Sequence, residues 1–73
     1  MSEKGWHLDV GSDVVRDEFF ADVWYGGRHW ASVVERDGSY QLVVMPNDEP
    51  VEVELEAALE SLGEARRRIA LPK

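Results

Sequence analysis

The chain combines short segments of two-residue hydrophobic period with one longer segment of helical period. Trp6, Leu8 and Val10 alternate with polar residues, which is the pattern of a half-buried strand. Three further runs are rich in aromatic and β-branched side chains, as strands commonly are. The predicted strands cover residues 6–10, 19–25, 28–35 and 40–45.

Two glycine turns join the last three of these strands into an antiparallel meander. Gly26-Gly27 and Asp37-Gly38 each supply the positive φ angles that a two-residue type I′ turn requires. Two-residue loops also define a register, and this register makes both sheet faces apolar. It places Tyr25 opposite Arg28, Val23 opposite Trp30, Ala21 opposite Ser32 and Phe19 opposite Val34. Residues 11–18 are polar and are predicted to form a connecting loop.

After an acidic, proline-containing loop, apolar residues recur at spacings of three and four, which predicts an amphipathic helix over residues 54–70. Residues 51–53 fit either a short edge strand or the entry to this helix. A glycine at position 63 costs a helix about 1 kcal/mol relative to alanine, so we expect Gly63 to allow close approach to a strand or to mark a kink. We expect Leu59 and Leu62 to be buried against the sheet. The predicted apolar stripe is Leu55, Ala58, Leu59, Leu62, Ala65 and Ile69.

These elements predict one α+β domain over residues 1–73, a three- to four-stranded antiparallel β-meander with one C-terminal amphipathic helix packed on one face. A chain of this length buries only about 60% of the surface that its unfolded form exposes, which is too little for two cores. Residues 1–4 and 71–73 are expected to be disordered ends.

Charge and composition limit the partners. Fifteen acidic and eight basic side chains give a net charge of −7, which disfavours nucleic acid and anionic membrane surfaces. There is no cysteine, no apolar run approaches the roughly 20 residues needed to span a bilayer, and no secretory signal is recognisable. We therefore expect a soluble, cytoplasmic protein.

The sequence contains no motif for catalysis, metal binding or cofactor binding. Threonine is absent, and the serines lack the context of an activated nucleophile. His7, Asp9, Asp22 and His29 are the only metal-ligand candidates that include histidine. Asp22 and His29 are also the one acid–base pair that the register brings near each other, and we favour a surface salt bridge or a strand-end pair over a catalytic role. We expect no catalytic residue, metal or cofactor.

The surplus of apolar residues on both sheet faces indicates association. A helix of about sixteen residues is about 24 Å long and covers only one face, so the other must be hidden by a second chain or by the N-terminal segment with Trp6 and Leu8. Which face the helix covers is left open. The candidate interaction face comprises Phe20, Trp24, His29, Val33, Tyr40 and Leu42.

Residues 55–65, Leu-Glu-Ala-Ala-Leu-Glu-Ser-Leu-Gly-Glu-Ala after a meander, resemble the helix that follows the strands in HicB-type antitoxins, which are small acidic proteins that bind a toxin. The resemblance implies a protein partner. These 73 residues contain no counterpart of the DNA-binding segment typical of those antitoxins.

Two functional hypotheses follow. The first is a non-enzymatic protein-interaction module of the antitoxin, immunity, inhibitor or accessory-subunit type, which acts as a homodimer or with a larger protein. The alternative is a small-ligand-binding or catalytic protein with a site on the sheet around Asp22, Trp24 and His29.

Overall fold

The computed structural model describes residues 5–70, so the ends predicted to be disordered lie outside the described residues. The described chain forms four strands and one helix, and the strands make a single antiparallel sheet in sequence order with the helix packed against it. This confirms the predicted α+β meander. The elements are β1 (Trp6–Asp13), β2 (Glu18–Tyr25), β3 (Arg28–Arg36), β4 (Ser39–Val44) and α1 (Leu55–Ile69).

The two predicted hairpin turns are present. Gly26 and Gly27 have φ angles of 58° and 83°, and Asp37 and Gly38 have φ angles of 53° and 82°. Positive φ at both central residues is the signature of the type I′ turn, whose twist matches that of the flanking strands. The positive φ predicted at both turns is therefore confirmed.

The N-terminal strand is longer than predicted. β1 continues to Asp13, and only residues 14–17 form the connection to β2. The Asp13 carboxylate accepts hydrogen bonds from the amides of Val15 and Arg16 at 3.0 and 3.2 Å, which closes this turn. Because β1 pairs edge to edge with β2, it does not lie across a sheet face as a covering arm. Residues 51–53, which fit either an edge strand or the entry to the helix, form neither and are irregular.

The predicted register between β2 and β3 is correct only next to the turn. Tyr25 lies opposite Arg28, but the pairing shifts between Val23 and Trp24, and Val23 lies opposite Ala31. Trp30 is the extra residue of this β-bulge. A shift of one residue moves every later side chain of β3 to the other face relative to β2. The predicted pairs Val23–Trp30, Ala21–Ser32 and Phe19–Val34 are therefore wrong.

The core lies between the sheet and α1. Its smallest members, Ala21, Ala31 and Ala65, are fully buried, which lets the helix lie close to the strands. The rest of the buried cluster is Val23, Val33 and Ile69, against which Leu8, Phe19, Trp30 and Leu62 pack. The helix packs mainly on β2 and β1 and less on β3.

The orientation of the helix differs from the predicted stripe. Its buried residues are Ala57, Ser61, Ala65 and Ile69, whereas Leu59 is exposed and Leu62 is half-buried. The expected burial of Leu59 is therefore wrong, because small side chains rather than leucines face the sheet. Ser61 satisfies its buried hydroxyl by donating to the Ala58 carbonyl at 3.2 Å. Gly63 is exposed, and an added Cβ there would have no neighbour within 4 Å, so the expected close approach is also wrong.

Candidate functional site

The helix leaves the β4 side of its sheet face uncovered. Tyr40, Leu42 and Val44 point to the same face as the buried Val33 and Ala31, because they occupy paired or alternating positions. Their exposed fractions are 37%, 53% and 66%. They remain exposed because α1 packs mainly over β2 and β1.

The helix adds leucines beside this strip. The guanidinium of Arg66 lies 5.1 Å from the centroid of the Tyr40 ring, which identifies the side of the helix that faces β4. Leu59 and Leu62 precede Arg66 at helical spacing on this side, and Leu55 lies one turn earlier. Leu55 and Leu59 are 68% and 59% exposed. We call this set, Tyr40, Leu42 and Val44 with Leu55 and Leu59, the β4–α1 surface.

A cavity lies at the end of β4. It has a volume of about 290 Å³ and is lined by Trp30, Val44, Met45, Asn47, Glu49, Pro50 and Val51. The indole Nε1 of Trp30 is buried and has no hydrogen-bond partner among the described residues. A buried donor without a partner costs free energy.

β4 forms one edge of the described sheet. Met45 donates its amide to the Trp30 carbonyl at 2.9 Å, so the backbone of Met45 turns toward β3. Because successive residues of an antiparallel strand turn their backbone groups to opposite sides, those of Tyr40, Leu42 and Val44 turn away from β3. This outer edge therefore presents amides and carbonyls that have no backbone partner within residues 5–70, and no charged residue interrupts residues 39–44.

The opposite face of the sheet carries a row of stacked rings. His7, Trp24 and His29 occupy paired positions on three neighbouring strands. The Trp24 ring lies 5.6 Å from the His7 ring and 5.1 Å from the His29 ring, with interplanar angles of 8° and 22°. The Trp24 Nε1 is buried and has no hydrogen-bond partner among the described residues.

A polar network lies next to these rings. The buried hydroxyl of Ser32 donates to the Asp22 carboxylate at 2.6 Å and lies 3.1 Å from the Nε2 of His29. Since the only hydroxyl hydrogen goes to Asp22, a hydrogen bond to His29 requires the Nε2 atom to carry a hydrogen. His29 Nε2 is also 3.4 Å from the Asp22 Oδ1, which confirms that these two side chains lie close together on one face.

The structure divides the predicted interaction face. Phe20, Trp24 and His29 lie on the face away from the helix, where Phe20 pairs with Val34. The other predicted members, Val33, Tyr40 and Leu42, lie on the helix side, and Val33 is buried there. The bulge at Trp30 causes this separation. The extra residue moves the side chains of β3 after it, and those of their partners in β4, to the opposite face relative to β2. The sequence interpretation missed the exposed positions Val44, Leu55 and Leu59.

The C-terminal turns of α1 carry an ion-pair cluster. Arg67 and Arg68 both donate side-chain hydrogen bonds to the Glu64 carboxylate. These hydrogen bonds lower the pKa of Glu64 from its usual 4.5 to about 2, and the pKa of Arg67 is raised by the same contact. The cluster stabilises a helix end that already favours positive charge.

Within residues 5–70, no group of three or more His, Asp or Glu side chains converges in a way that could hold a metal ion, and the metal-ligand candidates His7, Asp9, Asp22 and His29 form no such group. None of the described helices is long and apolar enough to cross a membrane. No family model matches the chain, and no curated protein or solved structure matches it.

Proposed function

We propose that this chain is a non-enzymatic protein-interaction module that binds its partner through the β4–α1 surface. The observation that carries the proposal is the exposure of five apolar side chains on neighbouring parts of two elements, Tyr40, Leu42 and Val44 on the sheet and Leu55 and Leu59 on the side of the helix that faces β4. Single exposed leucines are ordinary, but a contiguous apolar set next to a polar rim is typical of a binding surface.

The edge of β4 supports the same assignment. Sheet edges that are not used for binding are commonly protected by charged residues, and β1 fits this rule with Asp9 and Asp13. β4 carries no charge and leaves its outer backbone groups unpaired among the described residues. An extended segment of a partner could add to this edge as a further strand, with its apolar side chains on the β4–α1 surface.

The partner that we propose is a protein, either a second copy or a larger partner, as in antitoxins, immunity proteins, inhibitors and accessory subunits. The net charge of −7 opposes phosphate backbones and anionic lipid, so neither nucleic acid nor membrane is proposed as a ligand. We place this activity in the cytoplasm, because a chain without cysteine needs no oxidising compartment.

The test is a pair of charge substitutions at exposed valine and leucine positions. Leu42→Lys places a charge at the centre of the β4–α1 surface, and Val15→Lys places the same charge in the β1–β2 turn, where Val15 is exposed. Immobilised wild-type and Val15→Lys chains should capture the same proteins from native lysate, and Leu42→Lys should lose them. Matching thermal melts would show that both variants are folded. Equal capture by all three chains contradicts the proposal.

A second candidate function is small-ligand binding or catalysis on the opposite face. The observation that favours it is the network of Asp22, Ser32 and His29 beside Trp24, whose ring nitrogen has no hydrogen-bond partner among the described residues. A planar polar ligand could pack beside these rings and bind the polar network.

A thermal-shift screen of small planar molecules tests this second candidate. A compound that raises the melting temperature of the wild type and of Leu42→Lys, but not of Ser32→Ala, would place a ligand at this network. If no compound distinguishes Ser32→Ala from the wild type, the network serves only to stabilise the sheet.

A further inference from the structure

The free edge of β4 matches a second copy of itself. We infer that two copies of this chain pair their β4 strands antiparallel about a two-fold axis at Leu42, which joins their sheets into one sheet of eight strands. The inference rests on the proposed protein-interaction function and identifies the partner as a second copy of this chain. A two-fold interface uses the same surface on both subunits, so the strand must be complementary to its own reversed sequence.

The sequence of β4 meets this condition most fully in the register that pairs all three helix-side residues. With Leu42 opposite Leu42 of the second copy, Tyr40 lies opposite Val44, and Gln41 lies opposite Val43. Opposed residues in an antiparallel pair share a face, so the helix-side apolar residues meet each other. A register shifted by one residue would place helix-side residues opposite residues of the other face. A register centred on Gln41 would leave Val44 opposite the turn residue Gly38.

The backbone supports the same register. The residues whose amides and carbonyls turn away from β3 are Tyr40, Leu42 and Val44, as the bond from Met45 to Trp30 indicates. These are the residues that the Leu42-centred register places opposite one another. Each opposed pair of this kind exchanges two backbone hydrogen bonds. The ladder thus uses every backbone group that β4 now presents at its free edge.

Cross-linking with single cysteines tests the pairing, since the natural chain has none. In Leu42→Cys, the two-fold places the new thiol opposite its copy with a Cα separation of about 5.5 Å, which lies in the range that disulfides accept. Val10→Cys is the matched control, because Val10 is on the other edge strand and is 48% exposed, against 53% for Leu42. We expect mild oxidation to convert Leu42→Cys to a covalent dimer and to leave Val10→Cys a monomer.

Complementary charges at the same position provide a second measurement. Leu42→Lys and Leu42→Glu should each sediment as a monomer of about 8.3 kDa at concentrations where the wild type forms a dimer. An equimolar mixture of the two variants should restore the dimer, because the two-fold places residue 42 opposite residue 42. An axis at another residue would hold the two copies of residue 42 farther apart and predicts a weaker rescue.

The outcomes separate this inference from the proposed function. The inference is contradicted if the wild type remains monomeric and Leu42→Cys cross-links no faster than Val10→Cys. The partner is then not a second copy of this chain. If Leu42→Lys still loses captured proteins in that case, the β4–α1 surface binds a different protein and the proposed function stands. If capture is also unchanged, both fail. Equal and rapid cross-linking of the two cysteine variants also overturns the inference, because contacts would then not be specific to β4.

Discussion

Gly11 on β1 lies directly against the ring of its cross-strand partner Phe20 on β2. An added Cβ at Gly11 would stand 2.8 Å from the ring Cζ and 3.2 Å from Cε1. The Phe20 ring would have to move to admit a methyl group, so Gly11→Ala should destabilise the fold by about 1 to 3 kcal/mol. Urea denaturation followed by tryptophan fluorescence measures this difference.

A smaller partner should relieve the clash. In the background of Phe20→Leu, the further change Gly11→Ala should cost less than it does in the wild type, which a double-mutant cycle detects. Additive effects of the two substitutions would show that the ring does not restrict position 11.

Gly63 is predicted to respond in the opposite direction. It lies in α1, has no positive φ, and has open space around the position of a Cβ. Alanine there removes the helix cost of glycine, so Gly63→Ala should stabilise the protein by about 1 kcal/mol. A raised urea midpoint with an unchanged slope is the expected observation. A lowered midpoint would indicate a contact at this position.

The helix orientation predicts different costs for two apolar residues of α1. Ile69 is buried in the core cluster, so Ile69→Ala should cost about 2 to 5 kcal/mol. Leu59 is exposed, so Leu59→Ala should change the free energy of unfolding by no more than about 0.5 kcal/mol. Thermal melts at low protein concentration check both while limiting self-association. Similar losses in the two variants would contradict the observed orientation.

Ser32 should contribute to stability through its hydroxyl group. It is buried and donates to the Asp22 carboxylate, so Ser32→Ala removes a charge-assisted hydrogen bond and should cost about 1 to 3 kcal/mol. The exposed Ser39, beside the second turn, is the matched control and should tolerate alanine with little change. The prediction fails if both serine variants unfold at the urea concentration of the wild type.

The Glu64 cluster predicts a dependence of stability on pH. The pKa of Glu64 is lowered from 4.5 to about 2 by Arg67 and Arg68, so its charged form stabilises the fold above pH 4.5. This contribution is lost as the pH falls from 4.5 toward 2. Glu64→Gln should therefore be less stable than the wild type at neutral pH and should approach it near pH 2.

Melting temperatures measured at neutral pH and at several points between pH 4.5 and 2 check this window. Glu49→Gln serves as the control, because Glu49 forms no ion pair among the described residues. The difference in melting temperature between Glu49→Gln and the wild type should stay constant over this pH range. The corresponding difference for Glu64→Gln should narrow as the pH falls. A constant difference for both variants would show that the cluster is not coupled to folding.

Local sequence signals determined the elements of this protein. Gly26-Gly27 and Asp37-Gly38 defined both type I′ turns, because few other residues accept positive φ at two successive positions. The spacing of apolar residues predicted a helix over residues 54–70, and the observed helix is Leu55–Ile69. These features depend on backbone preference and periodicity, which act over a few residues and are readable from the chain.

Tertiary packing determined which faces these elements present. Nothing in residues 28–35 marks the bulge, since no glycine stands there, and Trp30 becomes the extra residue where its ring packs against the core cluster. That shift separates Trp24 and His29 from Leu42, which the predicted register had placed on one face.

The same holds for the rotation of α1. Apolar residues extend over a wide arc of the helix, so periodicity alone allowed either the leucines or the small residues to face the sheet. Ala57, Ser61 and Ala65 face it because their short side chains permit close approach to Ala21 and Ala31, which are themselves small. Leu55 and Leu59 are left at the surface as a result. The β4–α1 surface thus arises from the steric fit between helix and sheet, a long-range property that no local pattern encodes.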